Sequence, residues 1–186
     1  MPEKPDRRRT IVAAALEVIG ESGLGGFTQP RVAARAGMRQ SHLTYYFPTR
    51  DDLLLAVADE AVRRRVEVLR EAQAGTAAAG EQVAALAAVL TSPEHTRVLL
   101  ALTQAADQHD AVRRSFGSLA AQLAPLSADL LTTAGVDADP AALALLQATS
   151  TGIAVLALAR GEDFAPLAGQ LLGAFLDRLA GSPAPS

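Results

Sequence analysis

The sequence predicts an all-α protein, on three observations. Hydrophobic residues make up 49% of the 186 residues and aromatic residues only 4%, with alanine and leucine dominating, a mixture that packs helices better than strands. Apolar residues recur at helical spacing, and glycines, prolines and capping residues punctuate the periodic segments. Domains commonly hold about 100–150 residues, so the chain has room for a small N-terminal unit and one larger helical domain.

The first helix is expected over Asp6 to Ser22, because Ile11, Ala14, Ala15, Val18 and Ile19 share one face. Gly23 ends it, and Leu24, Gly25 and Gly26 form a turn. Thr28 is placed to cap a second helix that tolerates Pro30 in its first turn, with Phe27 and Val32 as a hydrophobic staple. That helix runs to about Ala36, and Gly37 supplies a left-handed turn. A short third helix, Arg39 to Tyr46, is anchored by Leu43 and Phe47, and two short helices joined at a glycine make a helix-turn-helix. Pro48 interrupts, Thr49 caps, and Asp51 and Asp52 suit the first turn of a long fourth helix reaching about Ala74.

Past a small-residue loop at 75–80, helices are expected over Glu81 to Leu90, Pro93 to Asp107, Asp110 to Ala134, Pro140 to Arg160 and Phe164 to Ala180. Pro125 is expected to kink or split the 110–134 segment. The prediction is thus about nine helices. They divide into a three-helix helix-turn-helix head at 1–48, a helical ligand-binding and dimerisation domain at 49–180, and a disordered tail at 181–186.

The net charge of −3 is unevenly spread. Residues 1–50 hold eight basic and four acidic side chains, giving +4, and the remainder holds nine and sixteen, giving −7. A basic head on an acidic body fits a module that binds a polyanion. Arg7, Arg8 and Arg9 are expected to add a mobile arm able to enter a minor groove. Arg63, Arg64 and Arg65 read as a solvated face, with Glu60 and Arg64 paired.

The chain has no cysteine, which excludes disulfides and thiolate chemistry. His42, His95 and His109 are too scattered for a metal site. With no acid–base carboxylate pair, glycine-rich phosphate loop or metal set, an enzyme reading lacks its parts, and no cofactor is expected. The most apolar run, Ala141 to Ala159, is broken by Gln147, Thr149, Ser150, Thr151 and Gly152. A buried or interfacial helix, no membrane partner and a cytoplasmic location are therefore expected.

Within Thr28 to Leu53, Val32-Ala33, Ala36-Gly37-Met38, Leu43, Tyr45-Tyr46-Phe47 and Arg50-Asp51-Asp52-Leu53 resemble the signature of the TetR family of transcriptional regulators. The likeness covers residues 7 to about 60. Arg39, Thr44 and Gln29 depart from it, standing where the family usually has a small hydroxyl residue, a tyrosine and an aliphatic residue. A different base preference should follow.

A helix as short as Arg39 to Tyr46 must be held by its neighbours, leaving its polar residues outward. Arg39, Gln40, Ser41 and Thr44 are the candidates for base edges in a major groove. Thr28, His42, Tyr45, Tyr46 and Arg50 flank them, and the resemblance implies that they contact phosphates.

The last two helices are apolar over much of their circumference, so Leu143, Leu146, Leu156, Leu171, Leu172, Phe175 and Leu179 are candidates for a four-helix dimer interface. The resemblance implies the same arrangement. It also implies an effector pocket, for which Leu99, Leu100, Thr103, Gln104, Asp107, Phe116, Leu119, Leu123, Gln147 and Ser150 are the candidates.

The expected function is a ligand-responsive repressor that binds a near-palindromic operator in double-stranded DNA as a homodimer and is released by a small apolar effector. The alternative is a dimeric binding module of the same fold without sequence-specific DNA binding.

Overall fold

The computed structural model describes residues 6–74, 78–161 and 163–181. Part of the expected loop at 75–80 and the tail at 182–186 lie outside the described residues. Among the described residues there are nine α-helices and no strand. The chain divides into two compact units, one running to Arg64 and including Arg97–Ser118, the other comprising Arg65–Thr96 and the chain from Leu119.

The first unit begins with α1 (Arg7–Ser22), capped by Asp6, whose carboxylate accepts from the Arg8 amide at 3.0 Å. Its inner face, Ile11, Val12, Ala15, Val18 and Ile19, is buried. Gly23 stops it at a φ of 63°, where its N–H donates to the Ile19 carbonyl at 2.8 Å; a positive φ favours glycine. After one 3-10 turn (Leu24–Gly26), Phe27 drops into the core and α2 (Gln29–Arg35) starts from Thr28. Gly37, at φ 66°, turns the chain into α3 (Gln40–Tyr46), so the second and third helices stand as expected.

Next, α4 (Arg50–Gln73) opens on a reciprocal cap. The Thr49 hydroxyl donates to the Asp52 carboxylate at 2.7 Å and accepts from the Asp52 amide at 3.0 Å, while the Thr49 amide donates to the same carboxylate at 3.0 Å. The arrangement satisfies donors that a helix start leaves bare. Leu53, Leu54, Val57 and Ala58 of α4 pack in the head core. Parts of α6 (Pro93–Gln108) and α7 (Asp110–Thr133) close it with Ala101, Leu102, Ala105 and Val112. Ser115 on α7 donates to Asp59 on α4 at 2.7 Å.

In the second unit, α5 (Ala79–Leu90) packs mainly on α9 (Ala165–Ala180) and on α8 (Pro140–Arg160). The approach of α5 to α9 is close because it is made of small side chains: a Cβ on Gly169 would stand 4.0 Å from the Ala87 Cβ. Val83, Ala87, Leu90, Ile153, Ala157 and Ala168 fill this core.

Four expectations are corrected. Helix α5 starts two residues earlier than Glu81. Pro125 does not split α7, which is helical throughout Asp110–Thr133; packing overrides the local proline cost here. The Arg7 to Arg9 segment is not an arm but the first turn of α1. Leu146 and Leu172 are 2% and 0% exposed and belong to the second core, so they have no surface to offer a partner.

Helix α8 is long and apolar enough to cross a membrane, the only such helix among the described residues. Ala142, Leu146, Ile153, Ala154 and Ala157 on one of its faces are buried within the unit, and a packed core helix meets the same length and composition test.

Candidate nucleic-acid interface

The short α3 is held at both ends and through its middle. Leu43 and Phe47, four residues apart and so on one face, are 0% and 1% exposed. This fixes the opposite face outward. Arg39, Gln40, Ser41 and His42 are all exposed at its beginning, and Tyr45 is 80% exposed at its end. Thr44 is half-buried, its hydroxyl turned back to the Ser41 carbonyl at 3.1 Å. Tyr46, also half-buried, meets the Tyr45 ring edge to face at 5.2 Å between centroids.

The base-edge candidates Arg39, Gln40, Ser41 and Thr44 therefore share one short helix, with His42 and Tyr45 beside them. Thr28 is exposed at the start of α2, its side chain making no cap bond to the helix. Arg50 is the exception. Its Nε donates to the Phe27 carbonyl at 3.2 Å, its Nη2 reaches the Leu24 carbonyl at 3.4 Å, and its guanidinium lies 5.3 Å from the centre of the Phe27 ring. Much of its donor capacity is committed to the turn before α2.

Two residues support α3 in ways the sequence reading did not foresee. Arg8 Nη1 donates to the Tyr46 carbonyl at 3.1 Å, with the guanidinium 4.4 Å from the Phe47 ring centre. Gln29 Nε2 donates to the Phe47 carbonyl at 3.0 Å. Both satisfy carbonyls that a helix end leaves without partners. The Gln29 departure from the aliphatic pattern is thus a hydrogen bond between the start of α2 and the end of α3. Beneath that end lies a cleft of about 450 Å³ lined by Arg8, Tyr46, Phe47, Asp52, Leu55 and Asp59 among others.

The basic character of the head is partly spent internally. Arg35 bridges α2 to α1, donating to Glu17 at 3.1 Å and to Glu21 at 2.8 and 2.5 Å. The hydrogen bond from Arg35 holds the Glu21 carboxyl below its usual value, and the same acids push Arg35 up. Arg39 enters no ion pair among the described residues, which leaves its charge available at the exposed start of α3.

The pocket candidates are divided between the units. Leu99, Leu100, Thr103, Gln104, Asp107 and Phe116 lie in the first, where Thr103 donates to the Leu99 carbonyl at 2.8 Å and the Asp107 carbonyl accepts from Arg113 at 3.2 Å. Leu119, Leu123, Gln147 and Ser150 lie in the second. Of the interface candidates, Leu156 and Leu171 are 47% and 40% exposed, while Leu143, Phe175 and Leu179 are half-buried. Leu145 and Leu167, not anticipated, add 48% and 38% exposed leucines on the same two helices.

Residues 11–57 match the family described as bacterial regulatory proteins, tetR family. The HTH-type transcriptional regulator BetI of Rhizobium meliloti is 31% identical over 105 residues, 56% of this chain and 45% of that protein. The match thus spans less than half the length of that relative. Across nearly the whole chain, a putative transcriptional regulator from Saccharomonospora viridis, solved in complex with choline, superposes with a TM-score of 0.78 at 21% identity, covering 94% of this chain and 97% of its own. The multidrug binding protein EbrR, solved with imidazole, gives a TM-score of 0.70 at 27% identity, covering 97% and 98%.

Proposed function

We propose that the chain is a regulator of the TetR family, whose model matches residues 11–57, and that it is a ligand-responsive transcriptional regulator that binds operator DNA through α3. The observation that carries the proposal is the division of α3 into a buried anchor, Leu43 with Phe47, and an exposed polar face beginning at Arg39. A major groove admits one helix, and arginine and glutamine have the donor geometry for guanine and adenine edges. Thr28, His42, Tyr45 and Tyr46 flank that face and suit phosphates; Arg50 serves chiefly to fix the turn beside it.

The exposed leucines of α8 and α9 favour a symmetric dimer, which would present two copies of α3 to successive turns of a near-palindromic duplex. Repression follows if the free dimer occupies its operator and an effector prefers a conformation that does not fit it. Choline and imidazole in the two neighbours support an effector of small size, and the expectation for this chain is a largely apolar one.

Selection of binding sites from random duplexes tests the reading. The expected product is a pair of inverted half-sites about 10–10.5 base pairs apart, or a multiple, centre to centre. Recovery of no enriched sequence, with the protein folded and dimeric, would leave the alternative: a binding module that retains the head fold without reading DNA.

A further inference from the structure

The polar residues of α3 do not all have the same chemistry left to offer. Thr44 lies four positions after Gln40 and three after Ser41, so the three side chains are neighbours on one patch of the helix. Gln40 and Ser41 are exposed and Thr44 is half-buried. The Thr44 hydroxyl donates to the Ser41 carbonyl at 3.1 Å. That bond consumes the one hydrogen a threonine side chain can donate. It also lays Oγ1 against the backbone of its own helix, which leaves the Cγ2 methyl as the outer group of the side chain.

What such a group recognises in a major groove follows by elimination. Guanine O6 and N7, adenine N7 and thymine O4 are acceptors and require a donor, and the Thr44 donor is engaged. Adenine N6 and cytosine N4 are donors, and to meet them Oγ1 would have to turn its lone pairs outward, away from the carbonyl to which it donates. The remaining feature is the thymine 5-methyl, the one apolar group among the base edges of that groove. A methyl set against a methyl needs no hydrogen bond and removes water from both.

We infer that Thr44 is a specificity-determining residue that reads one thymine in each half-site through its 5-methyl group, beside the base pair that Gln40 reads. The inference rests on the reading of α3 as the helix that enters the groove, and deepens it by naming the base and the atom. The polar neighbours discriminate by hydrogen bonds; Thr44 adds a contact that depends on shape and water exclusion alone.

The test uses the full chain and the duplex recovered by selection. Each thymine of the half-site is replaced in turn by deoxyuridine, in both half-sites together. Deoxyuridine keeps the pairing edge and O4 and lacks only the methyl. The wild type is expected to bind more weakly at one thymine position, by about fourfold for each half-site altered, the worth of one buried methyl group. Thr44→Ser, which keeps the hydroxyl and drops the methyl, is expected to bind the thymine and deoxyuridine duplexes equally. Thr44→Val, which keeps the methyl and drops the hydroxyl, is expected to discriminate as the wild type does. The scan of the wild type stands without either variant. The inference is overturned if the selected half-sites contain no thymine, if no deoxyuridine weakens the wild type, if Thr44→Ser still separates the two duplexes, or if Thr44→Val does not. A wild type that prefers the selected duplex to a scrambled one yet ignores every deoxyuridine overturns this inference and leaves the regulator reading standing. Recovery of no enriched duplex overturns both.

Discussion

Arg8, in the first turn of α1, donates to the carbonyl of Tyr46 at the last residue of α3. A residue whose sequence context suggests a free basic arm instead fixes the recognition helix to the helix that starts the domain. Gln29, at the start of α2, donates one carbonyl further on, to Phe47, and ties the same end to α2. Replacing either with alanine should loosen the end of α3 while leaving its base-facing residues in place. For Arg8→Ala the expected loss of stability is about 1 kcal/mol, from one charge-assisted hydrogen bond and one exposed cation–π contact. Operator affinity should fall together with hydrogen-exchange protection of the α3 amides. Unchanged protection in Arg8→Ala would remove the clamp from the account.

Gly26 is required for space. A Cβ built there would press on the Cβ of Ser22, and the Arg31 guanidinium stands 3.1 Å away. Gly26→Ala should destabilise the head by about 1–3 kcal/mol, the usual range for overpacking, read as a lower denaturant midpoint. Gly25→Ala is the control, because nothing lies within 4 Å of its Cβ position. Equal midpoints for the two variants would contradict the close approach.

Glu60 predicts an acid-labile component of stability. Hydrogen bonds from Arg63, then Arg64, hold its carboxyl down at about 2, against an ordinary 4.5. The folded state therefore favours the ionised form, and the contribution is complete above pH 4.5 and disappears as the pH falls towards 2. Both arginines are about half exposed, so solvent screening limits the effect to roughly 1 kcal/mol. Glu60→Gln should lower stability at neutral pH and flatten its dependence between these limits. A variant with the wild-type acid profile would assign that loss to other carboxylates.

Leu156 and Leu171 are exposed leucines on α8 and α9. Changing both to glutamate should yield a folded monomer by sedimentation, since charge is excluded from the centre of an interface. A dimer that survives the double change would place the contact elsewhere on the chain.

How far these features were legible depends on the range of the interaction that makes them. The turns at Gly23 and Gly37, the Thr49 cap and the Leu43 and Phe47 anchors all leave local signatures, and the helix-turn-helix was readable from them. The Arg8 to Tyr46 and Gln29 to Phe47 bonds join residues 38 and 18 positions apart, and no spacing rule registers such pairs. In α8 and α9 the difficulty is phase. Where a helix is apolar nearly all round, the pattern does not say which leucine faces in: Leu146 and Leu172 are buried, and Leu145 and Leu171 are their exposed neighbours. Arg65 is hidden inside a run of three arginines, and only its partial burial separates it from the exposed Arg63 and Arg64.

The central claim, that the exposed face of α3 reads duplex DNA, is tested most directly by one binding titration. Wild-type protein and Arg39→Ala are measured against a selected duplex and a scrambled one at about 50 and 200 mM salt. The account predicts that the wild type prefers the selected duplex by roughly a thousandfold or more. Arg39→Ala should lose about 1–3 kcal/mol on that duplex alone, and both proteins should keep a steep salt dependence. Equal affinity of the wild type for the two duplexes, or equal weakening of both by Arg39→Ala, would contradict it.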